Sequence, residues 1–225
     1  MPLNANALTT LDRCKGELDI TAGDTDQDTQ IEDYINSVSD AIELATNRRF
    51  YQDSYVHRLS GNGLWYIPVE QFPVVTLTKV AVDYKWGFGA ETELGIGVEV
   101  AVDKDIFLVR RSPASPWPKN QPMNIEVTYE AGYGGATPAP SDMPDGIQQA
   151  AVEWVRYLYN SQNDRRLGRT SMNKLGENVS WDATQLPPLV AALVEPYKRE
   201  NVIKRGLALL GVGTTGVEKQ NSDNQ

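Results

Sequence analysis

The chain has 225 residues, 40% hydrophobic, 23% charged and 8% aromatic, and 21 Lys+Arg against 30 Asp+Glu give a formal charge of -9. That is a globular composition, which excludes a disordered, fibrous or disulfide-rich chain. Surplus acid argues against general affinity for DNA, because releasing counterions from phosphates requires Lys and Arg. One cysteine, Cys14, and one histidine, His57, exclude a disulfide framework, a Cys-rich zinc site and a two-His metal centre, so no cofactor is expected. No basic segment leads from Met1 into an apolar run, and stretches such as 189–194 fall far short of the ~20 residues of a membrane helix. The expectation is a protein with no signal peptide and no membrane association, made in a cytoplasm.

In chain order, Leu11, Cys14 and Leu18 fall at i, i+3 and i+7 behind Thr9 and Thr10, which predicts a short capped helix. Ile31, Tyr34, Ile35, Val38, Ala41, Ile42 and Ala45 then hold one face of a longer helix. Asp24, Asp26 and Asp28 are expected to cap it and oppose its dipole, with Arg48 and Arg49 at its other end. From residue 51 the pattern turns to β. Runs rich in Val, Ile, Tyr and Trp at 51–59, 64–69, 74–84, 98–102, 106–109 and 125–129 alternate with Gly-, Pro- and Asp-rich turns. Short strands between tight turns imply antiparallel pairing. Ile147, Ala151, Trp154, Val155 and Leu158 predict a third helix ending near Asn160, 161–184 reads as an exposed polar loop, and Pro187-Pro188 opens a fourth helix closed by Pro196. The fold class is therefore α+β: a mostly helical core of four or more helices, an inserted antiparallel β domain and an extended C-terminal arm. The divisions are 1–50 and 134–199 for the core, 51–133 for the insertion and 200–225 for the arm.

The motifs that suggest chemistry are weak. Asp24-x-Asp26-x-Asp28 starts like a calcium loop, but Thr29 stands where the turn needs Gly and Ile35 where a bidentate Glu belongs, so capping is the better reading. Gly211-x-Gly213-x-x-Gly216 matches a dinucleotide fingerprint with only nine residues after it, too few for the helix, strand and acidic residue the motif requires. His57 has no nucleophile elbow to serve, and the neighbours Glu32 and Asp33 point different ways on a helix, unlike a glycosidase pair. No catalytic residue is expected. Charge placement is more informative. Residues 17–47 carry nine acids and no Lys or Arg, whereas 156–174 carry five bases against one acid. The plain reading is two solvated faces; opposite patches on one chain also suit head-to-tail contacts between copies, with Arg165, Arg166 and Arg169 as candidate partners of Asp24, Asp26, Asp28, Glu32 and Asp33.

Residues 8–18 (LTTLDRCKGEL), 31–50 (IEDYINSVSDAIELATNRRF), 131–134 (AGYG), 143–154 (MPDGIQQAAVEW) and 186–197 (LPPLVAALVEPY) resemble, in this order, the tailed-phage head-tail connector (head-to-tail adaptor) proteins. The resemblance covers about residues 7 to 199. It implies a structural, non-enzymatic virion protein of the neck, forming a ring, usually of twelve copies, beneath the portal. The implied partners are further copies, the portal, a stopper or tail protein, and genomic double-stranded DNA that passes without specific binding. The family's C-terminal segment docks on the portal, which places Leu207, Leu209, Leu210 and Val212 on an exposed arm. The five acids above are candidates for a channel or for contacts between subunits. Trp65, Tyr66, Trp86, Phe88 and Trp117 serve either a tail-side contact or the insertion's own core. Other readings are a different neck or tail-completion protein, a glycan-binding module or an acidic-pair hydrolase.

Overall fold

The computed structural model describes residues 2–103, 105–110, 115–119, 122–134, 142–163, 171–174, 177–180 and 186–209, giving the backbone alone at 110, 163 and the two strands within 171–180. The described residues divide into two compact units. The first comprises residues up to Asn47 and from 135 to Lys198; the second comprises Arg48–Gly134 together with the chain from Arg199 onward.

The first unit is helical. Helix α1 (Leu11–Glu17) is capped by Thr10, whose hydroxyl accepts from the Arg13 N–H at 3.3 Å. Helix α2 (Asp28–Thr46) buries Ile31, Ile35, Val38 and Ile42 along one stripe. Its buried Ser39 and Asn36 accept from the backbone N–H of Leu8 (3.0 Å) and Asn4 (2.9 Å), which lays the leading segment along the helix and seats Ala7 and Leu8 in the core. Helix α3 (Asp145–Asn163) buries Ile147, Ala150, Ala151 and Val155 and packs on α1 and α2. The Arg13 guanidinium ties α1 to Gln148 (2.6 Å) and Gln149 (3.3 Å). Helix α4 (Pro188–Val194) starts on a proline, packs on α3 and ends in a single 3-10 turn, Glu195–Tyr197. A Cβ on Gly146 would lie 2.8 Å from the Tyr197 hydroxyl, so a larger residue there would have to push the Tyr197 ring aside.

The polar stretch expected to be a loop holds a hairpin. Its strands are Ser171–Lys174 and Glu177–Ser180, paired antiparallel from Ser171↔Ser180 to Lys174↔Glu177. Hairpin pairing is a main-chain interaction and needs no apolar alternation. A two-residue separation containing Gly176 was the signal present.

The second unit is built on β strands: β1 (Asp53–Leu59), β2 (Tyr66–Pro68), β3 (Val74–Val82), β4 (Val100–Asp103), β5 (Phe107–Arg110) and β6 (Ile125–Ala131). They form two antiparallel sheets ordered β1-β6-β3 and β2-β5-β4. β6 alternates strictly, with Ile125, Val127, Tyr129 and Ala131 inward. These residues share one core with Leu59, Ile67, Val80, Val100, Leu108 and Trp117, drawn from both sheets and the segment beside them. Helix α5 (Arg199–Leu209) lays Ile203 and Leu207 on Tyr66 and Phe107, the opposite side chains of the second sheet. That sheet is thus covered on both faces, which explains the unbroken apolar run Ile106–Val109.

The two chain ends of the β-unit are fastened together. Gln52 N–H donates to Tyr133 O (3.1 Å), and Tyr133 N–H donates to Phe50 O (2.7 Å). Gly132 (φ +116) crosses so close that a Cβ would stand 2.2 Å from Tyr51 O. The buried Arg48 guanidinium stacks on Phe72 (4.1 Å) and Phe50 (4.8 Å) and donates to Phe72 O at 2.6 Å. Gly132→Ala combines a forbidden φ with a backbone clash and is expected to cost more than ~2 kcal/mol. Urea unfolding measures it, and a loss below ~0.5 kcal/mol contradicts this account of the junction.

Candidate functional site

The acidic stretch that begins α2 is organised from within by a lysine. Leu11, Cys14, Lys15 and Leu18 share a face of α1, which places Lys15 at an apolar position and buries it to 2% exposure. A buried ammonium requires partners. The Lys15 Nζ donates to Asp24 O (2.5 Å) and Ala22 O (3.3 Å) and pairs with Asp28 Oδ1 at 2.5 Å. The oxygens of the loop converge on this ammonium. The expected capping of α2 by Asp24 and Asp26 is corrected: the cap position is Gln27, with no side-chain bond to the helix. The Asp24 carboxylate instead accepts from the Asp26 N–H (3.1 Å), closing a local turn, while Asp28 opposes the dipole from the first helical turn. No basic residue lies in the last turn of α2, and Asn47 ends it in the left-handed conformation; the Arg48 guanidinium donates to Phe72 O.

Of the acids singled out, Asp24 and Asp26 are exposed, Glu32 and Asp33 are half-buried on α2, and Asp28 is committed to Lys15. Arg165, Arg166 and Arg169, together with Leu210, Val212 and the Gly211–Gly216 motif, lie outside the described residues. The expected arm is corrected in part. Residues 199–209 are helical, Leu207 is 2% exposed in the β-unit, and Leu209 alone of the described pair faces solvent, at 71%. A short helix that covers Phe107 removes more apolar area from water than a free arm does. The aromatics divide: Tyr66, Phe88 and Trp117 are buried, whereas Trp65 and Trp86 are exposed.

His57 sits on β1 with its Nδ1 3.0 Å from the Tyr129 hydroxyl and 3.4 Å from Glu70, inside a cluster with Tyr55 rather than beside a nucleophile. Among the described residues, no group of three or more His, Cys, Asp or Glu is placed to hold a metal, and no helix is long and apolar enough to cross a membrane. Sequence reasoning missed Lys15, whose signal was a charge on an apolar stripe, and α5, whose signal was the unbroken run of β5.

The chain is a helical unit interrupted by a β-unit, with exposed acids and exposed aromatics among its described residues. It is a member of the head completion protein family, whose sequence model matches residues 7–200. This agrees with the family expected from the succession of segments. Among curated proteins none matches. Three solved structures share the fold, each 19% identical over 88% of this chain. They are the neck of an empty gene transfer agent particle computed with C6 symmetry (94% of that chain, TM-score 0.52), the virion of the native particle (92%, 0.53) and its neck computed with C12 symmetry (92%, 0.50).

Two consequences of burial are measurable. Lys15→Met strands the Asp28 carboxylate and two carbonyls, and the expected loss of stability in urea is about 2 kcal/mol, at the lower side for a broken buried pair because Asp28 keeps some water. Burial also pushes the Cys14 thiol from 9.0 up to about 12, and the Tyr129 phenol from 10.0 up to about 12. Both groups release protons more readily when unfolded. Their contribution is therefore complete below about pH 9 and is lost as the pH rises toward 12. The melting temperature is expected to fall steeply over that window, and Cys14 to resist thiol reagents at pH 8 until the chain unfolds.

Proposed function

We propose that the chain is the head-to-tail adaptor of a virion neck: a ring of identical copies beneath the portal that joins the capsid vertex to the stopper or tail and lets the genome through. The observation that carries this reading is membership of the head completion protein family over 7–200, and the fold shared with gene transfer agent necks supports it. The C12 symmetry of one such neck favours twelve copies here. The ring closes by a heterologous contact, each copy's acidic face meeting the next copy's basic one. Asp24, Asp26, Glu32 and Asp33 are the candidate acids for a channel wall or for Arg165, Arg166 and Arg169 of a neighbour, while the Asp28 carboxylate is paired with Lys15. A channel wall of that sign repels phosphates and lets DNA slide without sticking.

The portal contact is assigned to the end of α5 and the residues after it, Leu209, Leu210 and Val212. Leu207 belongs to the protomer's own core and is removed from that set. Repetition around a ring makes even a weak segment an effective anchor. Leu209→Asp with Leu210→Asp is expected to leave the melting temperature within a few degrees and to abolish co-sedimentation with purified portal, whereas Leu207→Asp unfolds the β-unit. Light scattering of the wild-type chain with and without portal tests the ring. Portal that recruits no copies overturns the adaptor reading.

A further inference from the structure

The end of the β-unit opposite its fastened chain ends displays an apolar surface on loops that are held rigid. There β1, β3 and β6 finish level, at Leu59, Val82 and Ile125. The fully buried Asn124 joins the loops: its Oδ1 accepts from Gly61 N–H (3.2 Å) and its carbonyl from Asp83 N–H (3.0 Å), while Met123 N–H donates to Ser60 Oγ (3.0 Å). The Asp83 carboxylate accepts from the backbone N–H of Lys85 (2.8 Å), Gly87 (2.7 Å) and Phe88 (2.9 Å). The Trp86 indole N–H donates to Pro122 O at 3.2 Å. Trp86 (φ 57), Phe88 (φ 47) and Met123 (φ 50) are all left-handed, a conformation that bulky residues avoid unless the surroundings impose it.

This rigidity serves side chains that the fold leaves outside. Tyr84, Trp86 and Met123 are 56%, 54% and 59% exposed, and Leu64 and Trp65 stand exposed on the adjoining loop. Exposed Trp, Tyr and Met are enriched at protein interfaces, and loss of Trp or Tyr there is among the costliest for binding. Lys85 and Lys119 are exposed beside them, and the nearby Asp83 carboxylate is already satisfied by three N–H donors. The complementary surface is therefore apolar with carboxylates at its rim.

We propose that this end of the β-unit is the docking surface for a second, different protein of the neck, which offers an apolar patch rimmed by acidic residues. The proposal rests on the adaptor reading above. Copies that assemble together can order one another's loops, whereas a partner arriving at a finished ring gains most from a surface whose ordering is complete beforehand.

The test uses the full chain with purified portal and, separately, the purified tail-side neck protein. Trp86→Asn with Met123→Asn removes the apolar area, and Asn tolerates the left-handed backbone. The expected result is about a hundredfold weaker binding to the tail-side protein, with portal binding and the mass of the assembly unchanged. Lys85→Glu with Lys119→Glu keeps the apolar surface and covers the case of a misfolded first variant. It is expected to weaken the same binding about tenfold, less so at high salt. Unchanged affinity for the tail-side protein overturns the proposal while portal binding keeps the adaptor reading intact. Loss of self-association in the first variant overturns it in favour of a copy-to-copy contact. A wild-type chain that binds neither protein overturns both readings.

Discussion

A unit inserted into another unit must receive and release its chain at one place, and here that constraint is met by a few hydrogen bonds around Gly132 and Tyr133. The fastening sets the register of β1 against β6, because Asp53↔Ala131 is the next pair after it. From that pair the alternation of β6 decides which side chains face the core. Arg48 completes the junction by supplying a charged, flat group that three aromatic rings and a carbonyl can surround. A lysine offers the charge but not the plane, so the stacking would be lost with it.

Elements whose formation depends on apolar spacing could be read directly. The strand runs recovered the six described strands of the β-unit within a few residues, since Val, Ile and aromatic clusters were bounded by turn residues. A cap at Thr9 or Thr10 was legible because hydroxyl-to-amide capping is local, and Thr10 is the one that serves. The hairpin of 171–180 was not, because its polar strands carry no alternation. The segment of α5 is expected to be an arm from the family resemblance, which implies a docking C-terminal segment and no helix packed on the protomer. It packs against Tyr66 and Phe107, more than ninety positions earlier in the chain. Partners that remote leave no trace in a local pattern.

The candidate surfaces were legible in kind more than in place. Acid was visible as acid, but nothing in the spacing of Asp24, Asp26 and Asp28 tells that Lys15 would claim the last of them and the carbonyl of the first. The exposed aromatics likewise needed the fold to be told apart. Trp117 and Trp86 have the same chemistry, and one fills the core while the other is raised on a strained turn. What a side chain can do was written in its type, and whether it is available was decided by packing.

The return of the chain to the β-unit after the helical unit also governs the order in which the protein can mature. During synthesis the strands of residues 53–131 emerge early, but the outer face of the second sheet, Tyr66 and Phe107, stays bare until residues 203 and 207 have been made. The helical unit closes before that, at Lys198. Among the described elements, the last to be made is the one that covers this apolar face. A copy truncated short of α5 carries a bare apolar sheet face in place of a finished surface.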